Sequence, residues 1–83
     1  MSQVTVRFFA AARAASGVDS DVVDVASDAT LGDLEALLAS RSSDLARVLP
    51  RCSYLRDEIA LCDRAATLGA CSTVDVLPPF AGG

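Results

Sequence analysis

The sequence predicts one small α+β domain, in which a helix lies across one face of a mixed β-sheet. Two observations support this prediction. Short stretches of alternating apolar and polar residues precede and follow one longer stretch with helical spacing of leucines, so the order is strand, strand, helix, then further strands. The chain has 83 residues, 52% of them hydrophobic, which is enough for one modest core but not for two.

The N-terminal part is predicted to form two strands joined by a short helical segment. Residues 3–9 and residues 21–26 alternate apolar and polar side chains, which is typical of strands with one buried face. The alanine-rich residues 10–16 are expected to hold a turn of helix that ends at Gly17. The first seventeen residues, with two arginines and no acidic residue, also have the composition of a transit peptide. The alternation favours a strand, which we expect at an edge of the sheet.

The main helix is predicted over residues 31–40. Thr30 is a suitable N-cap, and Asp33 completes a capping box near the positive end of the helix dipole. A second short helical piece is expected over residues 45–49 and should stop at Pro50, because proline cannot continue a helix interior. The apolar stripe of the main helix consists of Leu31, Leu34, Leu37 and Leu38.

Three more strands are predicted in the C-terminal half, at residues 53–56, 59–62 and 73–77, with an acidic turn between the first two. The last strand completes the predicted domain, which covers residues 1–77. A short tail, residues 78–83, follows it. We expect no second domain, because no linker or internal repeat interrupts the chain.

The first and last strands both carry side chains on the face turned away from the predicted core. If Val4, Val6 and Phe8 face the core, the adjacent Phe9 faces outward. Were the two strands neighbours, three outward pairs would align: Thr5 with Thr73, Arg7 with Asp75, and Phe9 with Leu77. A contiguous exposed apolar surface of this kind is typical of an interface. Burial of Phe9 beneath residues 10–16 is the alternative.

Composition argues against several classes of function. The net charge of −4 and the isoelectric point near 4.4 argue against nucleic-acid binding, which needs a basic surface. No apolar run has the ~18–20 residues that cross a bilayer, so we expect no membrane association. With no histidine, the three cysteines are too few for a structural zinc site. Their odd number argues against a disulfide scaffold and favours a cytoplasmic protein. Because cysteine is often a small buried hydrophobe, we expect buried thiols at Cys52 and Cys62, and a more exposed one at Cys71, which lies near Gly69 and Ser72.

The tail consists of Pro78, Pro79, Phe80, Ala81, Gly82 and Gly83. Its prolines favour an extended stem, and its glycines would let the terminal carboxylate pass through a channel too narrow for any Cβ. A carboxylate becomes reactive when a partner enzyme adenylates it with ATP. The chain has no phosphate-binding loop, no dinucleotide motif and no histidine for a nucleophile–base pair. We therefore expect a substrate of enzymes and not an enzyme.

Four segments together resemble the ubiquitin-like sulfur carriers, and most closely the small subunits of molybdopterin synthase. They are Val-Arg-Phe-Phe-Ala at residues 6–10, Arg13 with Gly17, Thr-Leu-Gly-Asp-Leu at residues 30–34, and Leu-Pro-Pro-Phe-Ala-Gly-Gly at residues 77–83. The resemblance covers the whole chain and implies a β-grasp fold. It also implies a protein that is not catalytic alone, binds no cofactor or metal, and carries sulfur for molybdenum cofactor synthesis.

The resemblance implies roles for individual residues as well. Gly83 would be adenylated and thiocarboxylated by an E1-like activating enzyme that uses ATP and a sulfur donor. The residues that insert into partner active sites would be Pro78, Pro79, Phe80, Ala81 and Gly82. The expected main partner is the large subunit of molybdopterin synthase, in a heterotetramer. The residues that dock on it would be Phe9, Ile59, Leu61 and Leu77.

Other functions remain open at this point. The same tail chemistry serves carriers for thiamine synthesis, cysteine synthesis or tRNA thiolation. A protein modifier would instead form isopeptide bonds through Gly83; the chain has no lysine, so it could not build such chains on itself. A plain interaction domain would have no use for the two terminal glycines.

Overall fold

The computed structural model describes residues 2–69 and 72–79. Their elements in chain order are β1 Ser2–Phe8, α1 Ala10–Ser16, β2 Ser20–Val25, α2 Leu31–Arg41, α3 Ser43–Val48, a 3-10 turn Leu49–Arg51, β3 Ser53–Arg56, β4 Ile59–Leu61 and β5 Thr73–Leu77. The strands form one mixed sheet in the order β2-β1-β5-β3-β4, and the helices enclose the core against one of its faces. The predicted α+β architecture is confirmed.

Strands β1 and β5 are parallel neighbours in the middle of the sheet. Their register pairs Thr5 with Thr73 and Arg7 with Asp75, as the alternation predicted. Strand β1 also pairs antiparallel with β2, so the expectation that β1 is an edge strand is wrong. The edges are β2 and β4, since the C-terminal strand occupies the remaining side of β1.

The start of α2 is fixed by a capping box. The Asp33 N–H donates to Thr30 Oγ1 at 3.1 Å, and the Thr30 N–H donates to Asp33 Oδ2 at 3.0 Å. The helix runs to Arg41, one residue beyond the prediction, and Ser42 then caps α3. Pro50 does not stop the helical segment but lies inside the 3-10 turn. Proline is tolerated there because the N–H groups of a first turn have no intrahelical partner.

The short helix α1 is present where a helical turn was expected. It ends at Gly17, whose φ of 80° is left-handed and whose N–H donates to the Arg13 carbonyl oxygen at 2.9 Å. Only a residue without a Cβ adopts this conformation freely, so Gly17 gives the chain its turn into β2.

The core lies between the sheet and the helices. Its fully buried members are valines of the sheet and leucines of the helical segments: Val4, Val6, Val23, Val74, Val76, Leu31, Leu34, Leu38 and Leu49. The face of α2 predicted from leucine spacing is therefore the buried one, although Leu37 lies at its margin and is only half-buried. Burial of each such side chain contributes about 1.5–3 kcal/mol before the cost of chain ordering.

The hairpin between β3 and β4 turns through two residues with left-handed backbone. Asp57 has φ 48° and Glu58 has φ 72°, the geometry of the two-residue turns whose twist suits antiparallel strands. Asp57 Oδ1 accepts hydrogen bonds from the N–H groups of Ser72 and Thr73, both at 3.0 Å. The turn is thereby fastened to the start of β5.

These hydrogen bonds make the Asp57 side chain a source of pH-dependent stability. The bonds from Thr73 and Ser72 favour the ionised carboxylate and hold the pKa of Asp57 below its ordinary value of 3.8. A lowered folded-state pKa stabilises the fold above the unfolded-state pKa, and this contribution is lost as the pH falls through the folded-state value.

We expect Asp57→Asn to melt at a lower temperature than the wild type at about pH 6, and the gap to shrink below about pH 4. Thermal melts followed by circular dichroism across this range measure the effect. Asp24→Asn, at an exposed position of β2, is the control for loss of one negative charge. Parallel pH profiles for the wild type and Asp57→Asn would contradict the prediction.

Candidate functional site

The tail begins where the central strand β5 ends. Leu77 is the last residue of β5, Pro78 is half-buried and Pro79 is exposed. The remaining residues assigned to the tail site, which are Phe80, Ala81, Gly82 and Gly83, lie outside the described part of the chain. Because β5 lies between β1 and β3, the tail leaves the domain from the middle of one end of the sheet.

An ion pair connects the two central strands on the face away from the helices. Arg7 Nε donates to Asp75 Oδ1 at 2.5 Å, and the Arg7 Nη2 group donates to Asp75 Oδ2 at 2.8 Å. The hydrogen bond from Asp75, and then its charge, raise the pKa of Arg7. The predicted pair is therefore present in bidentate geometry, which fixes the orientation of both side chains.

Asp75 differs from the prediction in being buried. Sequence alternation predicted an outward carboxylate, yet the residue is only 5% exposed. It does lie on the outer face, but Arg7 flanks it on β1 and Leu55 flanks it on β3. A carboxylate in such a position needs its cationic partner, because an unpaired buried charge is strongly destabilising.

An apolar patch lies on the same face at the root of the tail. It consists of Phe9, Leu55 and Leu77. Phe9 is 40% exposed, and its N–H donates to the Val76 carbonyl oxygen at 3.2 Å, which continues the β1–β5 pairing and brings Phe9 beside Leu77. Leu55 is half-buried and lies diagonally across from Leu77, since Ser53 is the direct partner of Leu77. The expectation that Phe9 and Leu77 lie together and outward is matched by this arrangement.

Ile59 and Leu61, the other two residues expected to dock a partner, lie on the opposite face of the sheet. Leu61 pairs with Tyr54, which itself pairs with the core residue Val76. Leu61 is accordingly 8% exposed and belongs to the core, while Ile59 is 70% exposed on that same helix-side face. The β4 residue on the face of the patch is Ala60, which pairs with Leu55.

Sequence reasoning missed Leu55 and Ala60 because a shift of one residue moves every side chain of a strand to the other face. The available signal was the antiparallel pairing across the two-residue turn, which matches Leu55 with Ala60. That signal becomes useful only once the face of β3 is known, and this depends on its pairing with β5.

A second polar cluster joins α2 to the sheet on the helix side. The Tyr54 hydroxyl donates to Glu35 Oε2 at 2.5 Å, and Arg64 Nη2 donates to the same oxygen at 3.0 Å while its guanidinium lies over the Tyr54 ring. Burial acts to raise the pKa of Glu35, but the bonds from Arg64 and Tyr54 outweigh it and the pKa is lowered. Burial, followed by the bond to Glu35, raises the pKa of Tyr54. Glu35 accepts hydrogen bonds from both Tyr54 and Arg64, so the structural role of holding α2 on the sheet accounts for the cluster.

The two cysteines in the described part of the chain differ, since one thiol is buried and the other is exposed. Cys52 is buried and its thiol donates to the Val48 carbonyl oxygen at 3.3 Å. Burial, reinforced by the charge of Glu35, raises the pKa of Cys52, which makes the thiol less reactive. Cys62 is exposed, so the expectation of a buried side chain there is wrong. Cys71 lies outside the described residues.

Within residues 2–69 and 72–79, no group of three or more histidine, cysteine, aspartate or glutamate side chains is placed to hold a metal ion. In the same part of the chain, no helix is both long and apolar enough to cross a membrane.

A mixed sheet with the order β2-β1-β5-β3-β4 and a helix α2 across it defines the ubiquitin-like β-grasp class. The chain belongs to the ThiS family of ubiquitin-like sulfur carriers, whose model matches residues 6–83. A search of curated protein sequences gives no significant match.

Solved structures similar to this chain come from archaea and bacteria. The HVO 2177 protein of Haloferax volcanii is 31% identical over 99% of this chain and 87% of its own, with a TM-score of 0.82. SAMP1 of Haloferax volcanii is 26% identical over 98% of this chain and 99% of its own, also with a TM-score of 0.82. A complex of subunits 1 and 2 of molybdopterin-converting factor from Helicobacter pylori contains a chain that is 23% identical, with coverages of 98% and 99% and a TM-score of 0.69.

The ion pair should be the main polar contribution to stability on this face. We expect Arg7→Ala to lower the urea midpoint several times more than Arg13→Ala, which breaks the exposed pair of Arg13 with Asp19. The difference arises because only the first variant leaves a buried carboxylate without its partner. Equal shifts of the two midpoints in urea denaturation would show that the pair of Arg7 with Asp75 stabilises the fold no more than the exposed pair does.

The patch should bind a partner without being needed for folding. Phe9 is the N-cap residue of α1 and makes no capping bond, so Phe9→Asp replaces an exposed aromatic ring with a preferred cap. We expect the free variant to melt within a few degrees of the wild type. An anchor of about 2 kcal/mol corresponds to a loss of about thirtyfold in affinity for the protein that docks on the patch.

Calorimetric titration with a co-purified partner measures this loss, and Ile59→Asp is the matched control. It introduces the same charge at a more exposed apolar residue on the other face of the sheet. If Ile59→Asp weakens binding as much as Phe9→Asp does, the docking surface is not the patch.

Proposed function

We propose that this protein is the sulfur-carrying small subunit of a molybdopterin synthase. The observation that carries the proposal is the position of the tail, which continues the central strand β5 beside the apolar patch and ends in two glycines. A protein that docks on the patch necessarily lies next to the root of the tail. It can therefore receive the terminal residues in its own active site while the domain stays outside.

The chemistry requires an activating enzyme. The Gly83 carboxylate attacks ATP at the α-phosphorus and pyrophosphate leaves, which gives an acyl-adenylate. Sulfur from a donor, delivered as sulfide or its equivalent, then displaces AMP and leaves a thiocarboxylate. The carrier contributes only the slender tail and the docking surface, and ATP and the sulfur donor bind to the partner. A cytoplasmic location fits this dependence on ATP and on reduced sulfur.

The molybdopterin pathway is favoured over other sulfur pathways by two features. The tail reads Pro-Pro-Phe-Ala-Gly-Gly after the Phe-Phe pair of the first strand, which is the combination that resembles the molybdopterin carriers. The Helicobacter pylori complex of converting factor subunits 1 and 2 contains a chain of the same fold. We therefore propose a large synthase subunit as the protein that docks on the patch, in a heterotetramer.

Protein modification is the second candidate. It is favoured by the 26% identity to SAMP1 of Haloferax volcanii, a small archaeal modifier protein. Both functions begin with adenylation of Gly83 and differ in what attacks the acyl-adenylate. A sulfur donor yields a carrier, whereas transfer to an amine of another protein yields a conjugate.

Intact mass of the chain purified from its host separates these functions. We expect a species heavier by about 16 Da, the exchange of one oxygen for sulfur, and we expect deletion of Gly83 to abolish it. The deletion should leave the melting temperature unchanged, because β5 ends at Leu77. A ladder of heavier conjugates without the thiocarboxylate would favour the modifier. Restored cofactor synthesis by the deleted form, in cells lacking the native gene, would rule out the carrier.

A further inference from the structure

A groove with two arginines lies beside the root of the tail, on the side of the helices. It has a volume of about 350 Å³ and lies between α1, the segment that contains α3 and the 3-10 turn, and the first two residues of the tail. We call it the basic groove; its lining residues are Ala11, Arg47, Val48, Arg51, Pro78 and Pro79. It is distinct from the apolar patch, none of whose members lines it.

Arg51 differs from the other arginines in its contacts. Within the described residues, five arginines form ion pairs with carboxylates, and Arg56 donates to the Thr67 carbonyl oxygen at 2.7 Å. Arg51 is exposed and forms neither kind of contact there. Its neighbour Arg47 pairs with Asp44, and both members of that pair are largely exposed.

The groove is therefore a positive site in an acidic protein. The chain as a whole carries a net charge of −4, so an acidic partner surface would be repelled from most of it. Arg47 and Arg51 line the groove together with the apolar residues Val48, Pro78 and Pro79. Such a site is suited to a short acidic segment that packs its aliphatic carbons on the prolines and pairs its carboxylates with the arginines.

We propose that the basic groove binds an acidic segment at the channel entrance of the enzyme that adenylates Gly83. The inference rests on the proposed function to the extent that the tail must enter such an enzyme. Pro78 and Pro79 form one wall of the groove, so a protein that encloses the tail up to this stem also covers the groove. The activating enzyme is the partner that the carrier and the modifier functions share.

The experiment measures ATP–pyrophosphate exchange by the adenylating enzyme purified from the host, with full-length carrier as the varied substrate. Arg51→Glu should raise the KM for the carrier about tenfold with little change in kcat, because a charge at the rim affects encounter more than chemistry. The difference from wild type should shrink as added salt screens the interaction. The KM for ATP should stay unchanged.

Two further variants fix the sign of the effect. Arg41→Glu makes the same change of charge at an arginine that pairs with Asp21 on β2 and does not line the groove. We expect only a small rise in KM. Asp44→Asn removes the carboxylate that pairs with Arg47, so it makes the groove more positive and should lower the KM for the carrier.

Each result bears on the proposal separately from the proposed function. Equal KM values for Arg51→Glu and Arg41→Glu would overturn the groove as a docking site, and so would a lower KM for Arg51→Glu. The latter result would instead indicate that the groove holds the tail of the free carrier. Exchange that persists after deletion of Gly83 would refute the proposed function itself. Melting temperatures of all variants, measured in parallel, test whether unfolding accounts for any change in KM.

Discussion

Strands β1 and β5 lie parallel at the centre of the sheet, and the positions of the core, the patch and the tail all follow from their pairing. The pairing puts Val6 beside Val74 on the helix side and Arg7 beside Asp75 on the other side. It also brings Phe9 to the end of β5, where the tail begins. The ion pair of Arg7 with Asp75 joins residues 68 apart in sequence. One register between the two ends of the chain therefore determines the geometry of the candidate site.

The parts of the fold that could be predicted are those with strong local signals. Phe8 and Phe9 are adjacent, so a strand must place them on opposite faces, and Phe8 is indeed buried while Phe9 is exposed. Thr30 and Asp33 fix the start of α2 through bonds that depend on three-residue spacing alone. Such features need no knowledge of distant parts of the chain.

The parts that could not be predicted depend on contacts between elements. The burial of Asp75 results from β3, which covers the side of β5 that β1 leaves free. The face of β4 depends on a chain of two pairings, from β5 to β3 and from β3 to β4. The basic groove gave no signal in the sequence, since Ala11, Arg51 and Pro78 meet only after α1 and the 3-10 turn have packed at the end of β5. Alternation within one strand carries none of this information.

The central position of β5 also has a mechanical consequence. Because the tail continues β5, any pull on the tail acts on β5 along the direction of the strand. Hydrogen bonds to β1 on one side and to β3 on the other lie across that direction, so the whole ladder bears the load in shear. An edge strand such as the three-residue β4 would be held on one side only. A pull on the tail must therefore break the bonds on both sides of β5 together before the strand can leave the sheet.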